Sequence, residues 1–371
     1  MPKSFPQPPP FDFAGEAIAP GTRRALAIDL GTGPMGRPRN IPVHVLHGGR
    51  PGPVLALCAA THGDELGGVA IIHHLTFGDD HVYQTGDDHL DLAQVAGTLL
   101  CVPMINVEGV VLQTRETPDG RDLNRVFPGS ATGNQAQRIA HALFDTVIRR
   151  ADCVIDLHTA PHTRINVPHV RANLDRPECK AIARAFGTEI VLHSVGSKGT
   201  LRRAAVEAGV PAVLMESGTS HRFEAATVRA GVRGILNVMA HLGMVDRDNL
   251  PPAWRILVRR SRWVRTADGG LLHTCIEGGA LVRAGETIAH VTDPFGSRVG
   301  SVESPVTGLV LGLTVSPLVR AGDPIANIVL VSSGRLERAI ARGARAVPAR
   351  GDTEETEVSD EAGSTLDEVG A

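Results

Sequence analysis

Four near-continuous apolar runs constrain the fold of this chain more than any other feature of its sequence. They are VLALCAA (54–60), TLLCVPMI (98–105), CVIDLH (153–158) and AVLMES (212–217). Helix-like stretches alternate with them, at 67–75, 134–150, 176–187 and 222–242. Because continuous rather than alternating hydrophobicity is typical of strands that are covered on both faces, the pattern predicts an α/β fold around an open sheet.

The character of the sequence changes after the LPPAW segment at 250–254. Short strand-like segments separated by turns follow, and the turn V-R-A-G-(E/D) occurs twice, at 282–286 and 319–323. This pattern predicts a small all-β domain with quasi-repeated hairpins. We therefore divide the chain into a lead-in, an α/β domain, a β domain and an acidic tail that we expect to be disordered, with the boundaries 1–20, 21–250, 251–332 and 333–371.

Composition excludes several classes of function. A net charge of −3 leaves no basic surface for nucleic acid, and no apolar run is long enough to span a bilayer. The first residues contain no apolar signal core, and the 5 cysteines are scattered without metal-binding spacing. We expect a cytoplasmic protein without nucleic-acid or membrane partners, and we leave open whether it forms a homo-oligomer.

Polar side chains follow three of the apolar runs where each run ends. The segment THGDELGG (61–68) follows the first run and places His62 three residues before Glu65. Alone, this pair also fits a turn that carries two polar residues. His158 ends the third run, however, and Glu216 ends the fourth. Because the carboxyl ends of parallel strands meet at one edge of a sheet, where ligands bind, we expect these side chains to lie close together.

The chemistry of these side chains is that of a hydrolytic metal site. Two imidazoles and one carboxylate form a common catalytic zinc set that leaves a fourth position open. Zinc lowers the pKa of a bound water to about 7, and a carboxylate free of the metal then carries the proton to the leaving nitrogen. We predict that His62, Glu65 and His158 bind zinc and that Glu216 is the general base. The alternative for Glu216 is a structural carboxylate paired with a nearby arginine.

The segment RETPDGRDLNRVFPG (115–129) concentrates charged and amide side chains. A charged surface turn would also explain it. An arginine fork matches a carboxylate, however, and asparagine adds a neutral donor. Asp122 could accept the outer N–H of a metal-bound imidazole, as metal-ligating histidines usually require.

The motifs HGDE, RDLNRVFPG, DLHT and MESG, in this order, resemble the succinylglutamate desuccinylase/aspartoacylase family of zinc carboxypeptidase-like hydrolases. The resemblance extends over roughly residues 40–330. It implies an open mixed sheet with helices on both faces, a smaller C-terminal β domain of the barrel-sandwich kind, and one Zn²⁺ per chain.

The resemblance also implies a role for each site residue. The implied roles are zinc binding by His62, Glu65 and His158, orientation of His62 by Asp122, binding of the substrate carboxylate by Asn124 and Arg125, general base catalysis by Glu216, and polarisation of the scissile carbonyl by Arg115.

Two segments differ from the pattern of the family. Tyr83 is the only tyrosine and lies in an acidic stretch, 77–97, that we expect to be an exposed loop. A tyrosine contact to the substrate, seen in some relatives, is therefore expected to be missing. The segment PHTRINVPHVRANLDRP, which follows His158, is expected to be a loop lined by His162, Arg164 and His169. Contact of these three side chains with the substrate is the alternative.

The leading hypothesis is a metal-dependent amidohydrolase that removes an acyl group from an N-acyl amino acid or a similar small carboxylate-bearing amide. A zinc carboxypeptidase that acts on peptides would use the same metal set, although the aromatic content of 3% does not favour a pocket for large side chains. A non-catalytic metal-binding scaffold is a further alternative. A carrier of the lipoyl or biotinyl kind, whose folds the segment 255–331 resembles, is excluded because no lysine follows Lys198.

Overall fold

The computed structural model describes residues 7–77, 90–331, 334 and 354–357. The strands of these residues are β1 (Phe11–Phe13), β2 (Glu16–Ile18), β3 (Thr22–Thr32), β4 (Pro38–His47), β5 (Arg50–Ala59), β6 (Ala96–Val102), β7 (Cys153–His158), β8 (Arg164–Ala172), β9 (Ile190–His193), β10 (Ala212–Gly218), β11 (Trp254–Val258), β12 (Ser261–Arg265), β13 (Gly270–Thr274), β14 (Leu281–Val282), β15 (Thr287–Thr292), β16 (Arg298–Glu303), β17 (Gly308–Thr314), β18 (Leu318–Val319), β19 (Pro324–Leu330) and β20 (Glu354–Glu357). The α-helices are α1 (Gly67–Phe77), α2 (Val107–Leu112), α3 (Gln135–Thr146), α4 (Pro177–Phe186), α5 (Leu201–Glu207) and α6 (Ala225–His241).

A large mixed sheet runs through the molecule. Its strand order is β12-β19-β17-β8-β10-β7-β5-β6-β4-β3, with β9, β11, β14 and β20 paired off this path. The four apolar runs of the sequence are the central strands β10, β7, β5 and β6, which are parallel to one another. The strands on either side, β8 and β4, are antiparallel to their inner neighbours. The predicted open mixed α/β sheet is confirmed.

The central strands are apolar at nearly every position because helices cover both faces of the sheet. Along β5, Leu55 and Leu57 belong to one buried cluster, which also contains residues of α1, α4 and α6. Ala56 and Cys58 belong to the cluster on the other face, where α3 and α5 pack. Since successive side chains of a strand point to opposite faces, both sets of positions must be hydrophobic.

The C-terminal region is all-β, as predicted. Strands β12, β19 and β17 extend the large sheet, and β16-β15-β13-β18 form a separate four-stranded sheet. Side chains from both sheets share one buried cluster, for example Val310 and Val291. Strand β17 pairs antiparallel with β8, so the sheet is continuous between the two regions. The domain boundaries given above stay a prediction.

The two V-R-A-G-(E/D) segments form the same turn. In each, the backbone N–H of the acidic residue donates to the carbonyl oxygen of the arginine, and the arginine N–H donates to the acidic side chain. Gly285 and Gly322 occupy equivalent positions with φ values of 83° and 88°. Glycine adopts this left-handed conformation without steric cost, which explains why both copies of the turn have glycine at this position.

The structure contains strands that the sequence did not reveal. The segment expected to be a loop after His158 contains β8, so that expectation is wrong for residues 164–172. Its nine residues include two arginines, an asparagine and a histidine, and buried positions alternate irregularly with partly buried ones, so the segment lacks the continuous apolar run of the central strands. The predicted lead-in likewise contains β1 and β2, whose Phe13 and Ile18 are buried.

Some expectations fall outside the described residues. Tyr83 and most of the acidic stretch 77–97 are among these, although its last residues are described and Val95 is buried there. The expected disorder of 333–371 likewise concerns residues outside the described ranges, apart from residue 334 and β20, which pairs parallel with β11. Within the described part of the chain, no helix has the length and apolar character needed to cross a membrane.

Candidate active site

The segment that follows β5 packs too closely against its neighbours for side chains at its glycines. A Cβ on Gly63 would lie 2.0 Å from the carbonyl carbon of Gly109 in α2. A Cβ on Gly68, in the first turn of α1, would lie 2.7 Å from the Cβ of Leu157 in β7. These close approaches seat the segment on the carboxyl ends of the strands, so His62 and Glu65 are both buried there.

Glu65 lies between two imidazoles. Its Oε1 is 2.7 Å from Nδ1 of His62, and its Oε2 is 2.8 Å from Nδ1 of His158. One potential ligand atom from each of the three residues lies within 4.8 Å of the others. The structure therefore brings together the three side chains that the sequence predicts as metal ligands.

The outer nitrogen of each imidazole contacts a further carboxylate. Nε2 of His62 is 3.2 Å from Oδ1 of Asp122, and Nε2 of His158 is 3.0 Å from Oδ2 of Asp156. A carboxylate on Nε2 keeps the proton on that nitrogen and turns Nδ1 toward the centre of the cluster. Asp122 thus lies on the outer nitrogen of His62, and Asp156 lies on that of His158.

The donor set fits a divalent metal. Each imidazole turns Nδ1 toward the Glu65 carboxylate, and with the proton on Nε2 this atom carries a lone pair. A lone pair and a carboxylate repel each other unless a positive charge lies between them. Zinc is commonly bound by two histidines and one carboxylate in sites that leave a position open. His62, Glu65 and His158 are the residues that could hold such an ion.

The pKa values follow from these contacts. Burial would lower the pKa of His158, but the carboxylates of Asp156 and Glu65 outweigh it and raise the pKa well above its usual value. Burial would raise the pKa of Glu65, but the two histidines hold it well below its usual range. Burial would also raise the pKa of Asp122, but His62 and Arg115 hold this pKa below its usual value. The cluster is therefore a set of ionised carboxylates that favours positive charge between them.

Arg115 lies beside this cluster. One terminal nitrogen is 3.1 Å from Oε1 of Glu65, and the other is 3.2 Å from Oδ2 of Asp122. The side chain is partly buried and its guanidinium spans the two carboxylates. Arg115 thus lies beside one of the predicted metal ligands and beside the carboxylate on the outer nitrogen of another.

Asn124 and Arg125 lie in a short 3₁₀ turn, Leu123–Arg125, that begins at Asp122. The Asp122 side chain caps this turn by accepting from the N–H of Asn124 at 2.8 Å. Asn124 Oδ1 accepts from the N–H of Leu201 at 2.8 Å, so its oxygen is used at the start of α5. Its NH₂ group is then the part that can serve a substrate. Arg125 is half-exposed, with one nitrogen 3.9 Å from Asp122.

Glu216 lies on the strand next to His158. In the parallel pairing of β10 with β7, Glu216 is the register partner of His158. Burial raises the pKa of Glu216, and the nearby Glu65 carboxylate raises it further, while Arg171 and His158 oppose this shift. A carboxyl group whose pKa is moved toward neutrality is suited to accept and return a proton.

Comparison with known proteins identifies the family of the chain. A family model described as the succinylglutamate desuccinylase/aspartoacylase catalytic domain matches residues 51–242. The chain belongs to the succinylglutamate desuccinylase/aspartoacylase family. The matched residues contain every side chain of the cluster described above.

Individual relatives match most of the length of this chain, and two of them are solved structures. An N-alpha-acetyl-L-2,4-diaminobutyric acid deacetylase from Halomonas elongata is 28% identical over 305 residues, which cover 78% of this chain and 86% of that protein. A solved succinylglutamate desuccinylase/aspartoacylase from Rhodobacter sphaeroides is 26% identical, with a TM-score of 0.73 over 84% of this chain and 96% of its own. A product-bound ectoine utilization protein from Ruegeria pomeroyi is 24% identical and has the same fold, with a TM-score of 0.76 over 89% of this chain and 100% of its own.

Three residues at the site were not predicted from the sequence. Asp156 lies two residues before His158 in β7, and the two-residue period of a strand places both on one face, so this signal was present. Asn166 and Arg171 lie on β8 and contact Glu216. No local pattern reveals them, because their position depends on the pairing of β8 with β10.

The histidines of the segment after His158 differ in their environments. His162 is exposed and stacks edge-on with His221 at a centroid distance of 5.2 Å. His169 is completely buried in β8, with Nδ1 2.8 Å from the carbonyl oxygen of Val167 and Nε2 accepting from Nε of Arg171 at 3.2 Å. Burial and the charge of Arg171 lower the pKa of His169 to about 3.

The burial of His169 predicts a loss of stability in acid. The folded state keeps His169 neutral down to a pKa of about 3, whereas the unfolded chain protonates it near its ordinary value of 6.5. The contribution of neutral His169 to the free energy of unfolding is therefore complete above pH 6.5 and declines as the pH falls from there toward 3. Between pH 7 and 5, we expect the free energy of unfolding to fall by about 2 kcal/mol less in His169→Gln than in the wild type.

Urea unfolding at both pH values, with equal metal loading, measures this difference. The exposed His273 offers a matched control, because His273→Gln removes an imidazole from the surface rather than from the interior. An identical acid loss in His169→Gln and the wild type would show that His169 is not the group responsible.

Proposed function

We propose that this protein is a zinc-dependent deacylase that hydrolyses the amide bond of an N-acyl amino acid or a similar small carboxylate-bearing amide. The observation that carries the proposal is the His62, Glu65 and His158 cluster, with Glu216 on the neighbouring strand end. Membership of a family whose relatives are named as deacylases supports the reaction class.

The first element of the mechanism is the metal set. His62, Glu65 and His158 would hold the ion through two Nδ1 atoms and a carboxylate. A zinc ion there would act as a Lewis acid and make a water molecule nucleophilic at neutral pH. Asp122 and Asp156 fix the imidazole rings by accepting from their Nε2 atoms.

Glu216 moves the proton. Its carboxylate accepts a proton from the attacking water and returns it to the nitrogen of the leaving amine, which would otherwise depart as an unstable anion. The raised pKa of Glu216 matches both halves of this transfer, since the group must be a base first and an acid afterwards.

Substrate binding is assigned to the 3₁₀ turn beside the cluster. The guanidinium of Arg125 and the amide NH₂ of Asn124 would donate to the substrate carboxylate. Arg115 would donate to the oxygen of the scissile carbonyl as negative charge develops on it. The contacts of Arg115 with Glu65 and Asp122, which hold it beside the proposed metal ligands, support this role.

The name of the relative from Halomonas elongata directs the choice of substrates. That protein is named as a deacetylase of an N-acetylated diamino acid. We therefore propose N-acetylated amino acids as the first substrates to test, with N-succinyl derivatives beside them.

We place the reaction in the cytoplasm, because all five cysteines are free thiols, as is usual in a reducing compartment.

A substrate panel tests the proposed function. Zinc-loaded protein is assayed with N-acetyl and N-succinyl derivatives of diaminobutyrate, aspartate and glutamate, and with short peptides that end in the same residues. Release of the free amino acid from the acyl compounds is the expected result. Cleavage of the peptides alone would identify a carboxypeptidase, and zinc binding without hydrolysis would identify a scaffold.

We predict about one zinc ion per chain in the purified protein, measured by metal analysis. Asp156→Asn should keep the contact with His158 but remove the charge that makes the imidazole a stronger ligand. Zinc affinity, measured by competition with a chelator, should then fall about 10- to 100-fold. Asp145→Asn, on the exposed side of α3, serves as the control and should retain wild-type affinity. An unchanged affinity in Asp156→Asn would contradict the role of the outer carboxylate.

Glu216→Gln tests proton transfer. The glutamine keeps the shape of the side chain and removes its basicity, so zinc content and melting temperature should be unchanged. Loss of general acid–base catalysis should lower kcat by about 10²- to 10⁴-fold. A variant with normal zinc content and near wild-type kcat would remove Glu216 from the mechanism.

Arg125→Ala tests the substrate carboxylate. A contact that is equally strong in the ground state and the transition state affects KM and leaves kcat nearly unchanged. Loss of a charge-assisted hydrogen bond should weaken binding by about 1.5–3 kcal/mol. A large fall in kcat at constant KM would instead assign Arg125 to the groups that polarise the carbonyl.

A further inference from the structure

Two side chains of β8 contact the two oxygens of the Glu216 carboxylate. Nδ2 of Asn166 donates to Oε2 at 3.0 Å, and a terminal nitrogen of Arg171 lies 3.9 Å from Oε1. The second distance is too long for a hydrogen bond, so Arg171 supplies charge rather than a directed contact. Among the described residues, Asn166 is thus the hydrogen-bond donor that fixes how this carboxylate is turned.

The orientation of the Asn166 amide follows from its partner. An ionised carboxylate only accepts hydrogen bonds, so Asn166 must turn its NH₂ group toward Glu216 and its oxygen away. That oxygen faces strand β17 of the C-terminal region, where Asn166 is the register partner of Gly312. A Cβ on Gly312 would lie only 2.6 Å from Oδ1 of Asn166. The space for the amide exists because residue 312 has no side chain.

Given the role of Glu216 in the proposed function, we propose that Asn166 positions the Glu216 carboxylate for proton transfer and that Gly312 leaves the space that this amide requires. The C-terminal β region thereby contributes to the active site through a contact between two strands, without providing a catalytic residue. Asn166 is a positioning residue because it acts through Glu216.

The hydrogen bond from Asn166 also determines the position of Oε1, the other carboxylate oxygen of Glu216. The hydrogen bond to Oε2 stops the carboxylate from rotating, so Oε1 keeps one direction. Oε1 receives no hydrogen bond from the described residues and is the oxygen available to carry the proton. Without Asn166, the carboxylate would sample other rotations, and fewer of its conformations would be ready for proton transfer.

The first experiment removes the amide. In zinc-loaded Asn166→Ala, kcat should fall about 10- to 100-fold, the range expected for losing a hydrogen bond to a charged group. KM, zinc content and melting temperature should stay near wild type. The same substitution in the Glu216→Gln background should cause no further fall in kcat, because residues that act as a unit are not additive.

The second experiment leaves both site residues in place. Gly312→Ala should displace the Asn166 amide and lower kcat in the same direction, with normal zinc content and melting temperature. Gly269→Ala is the matched control in the same β region, since a Cβ there would meet its nearest atoms at 3.4 Å, an ordinary contact. Its kcat should equal that of the wild type.

The outcomes separate the two proposals. A wild-type protein that hydrolyses no acyl compound overturns the proposed function. An active wild type with unchanged kcat in Asn166→Ala overturns the positioning role, as does an equal fall in the wild-type and Glu216→Gln backgrounds. Loss of zinc or stability in Asn166→Ala would make that residue structural. In Gly312→Ala, the same loss or an unchanged kcat would overturn the role of Gly312.

Discussion

The carboxylate of Glu65, buried between two imidazoles, is the interaction on which the rest of the site depends. A buried carboxylate is stable only when it is paired and hydrogen-bonded. Glu65 meets this condition through Nδ1 of both His62 and His158 and through the backbone N–H of Thr159. Because these groups come from the ends of β5 and β7, the carboxylate ties the two strand ends together at the edge where chemistry is proposed.

The charges around this carboxylate explain why the site suits a metal ion. Asp122 and Asp156 add two negative charges on the far sides of the imidazoles, and Arg115 balances only part of this charge. The raised pKa of His158 has the same cause, because the carboxylates of Asp156 and Glu65 favour protons on its ring. A divalent ion would replace these protons, so metal binding at this cluster is linked to proton release.

The sequence predicted the parts of the molecule that local patterns determine. The four central strands were recognisable because both faces of each are covered, and the ends of β5, β7 and β10 therefore located His62, His158 and Glu216. Strand β8 was taken for a loop, because a partly buried strand beside a site lacks continuous hydrophobicity. Its contacts with Glu216 depend on pairing between segments that are far apart in the chain, which no local pattern encodes.

The same long-range pairing connects the C-terminal region to the site. Strand β8 is hydrogen-bonded to β10 on one side and to β17 on the other, so it transmits the position of each to its neighbour. A sheet holds such positions well, because register is set along the whole strand by side chains that cannot move to the other face. A small change in β17 would therefore alter the site through the Asn166 amide and leave the cluster around Glu65 in place. The two functions proposed for this edge, holding an ion and moving a proton, would thus depend on different parts of one sheet.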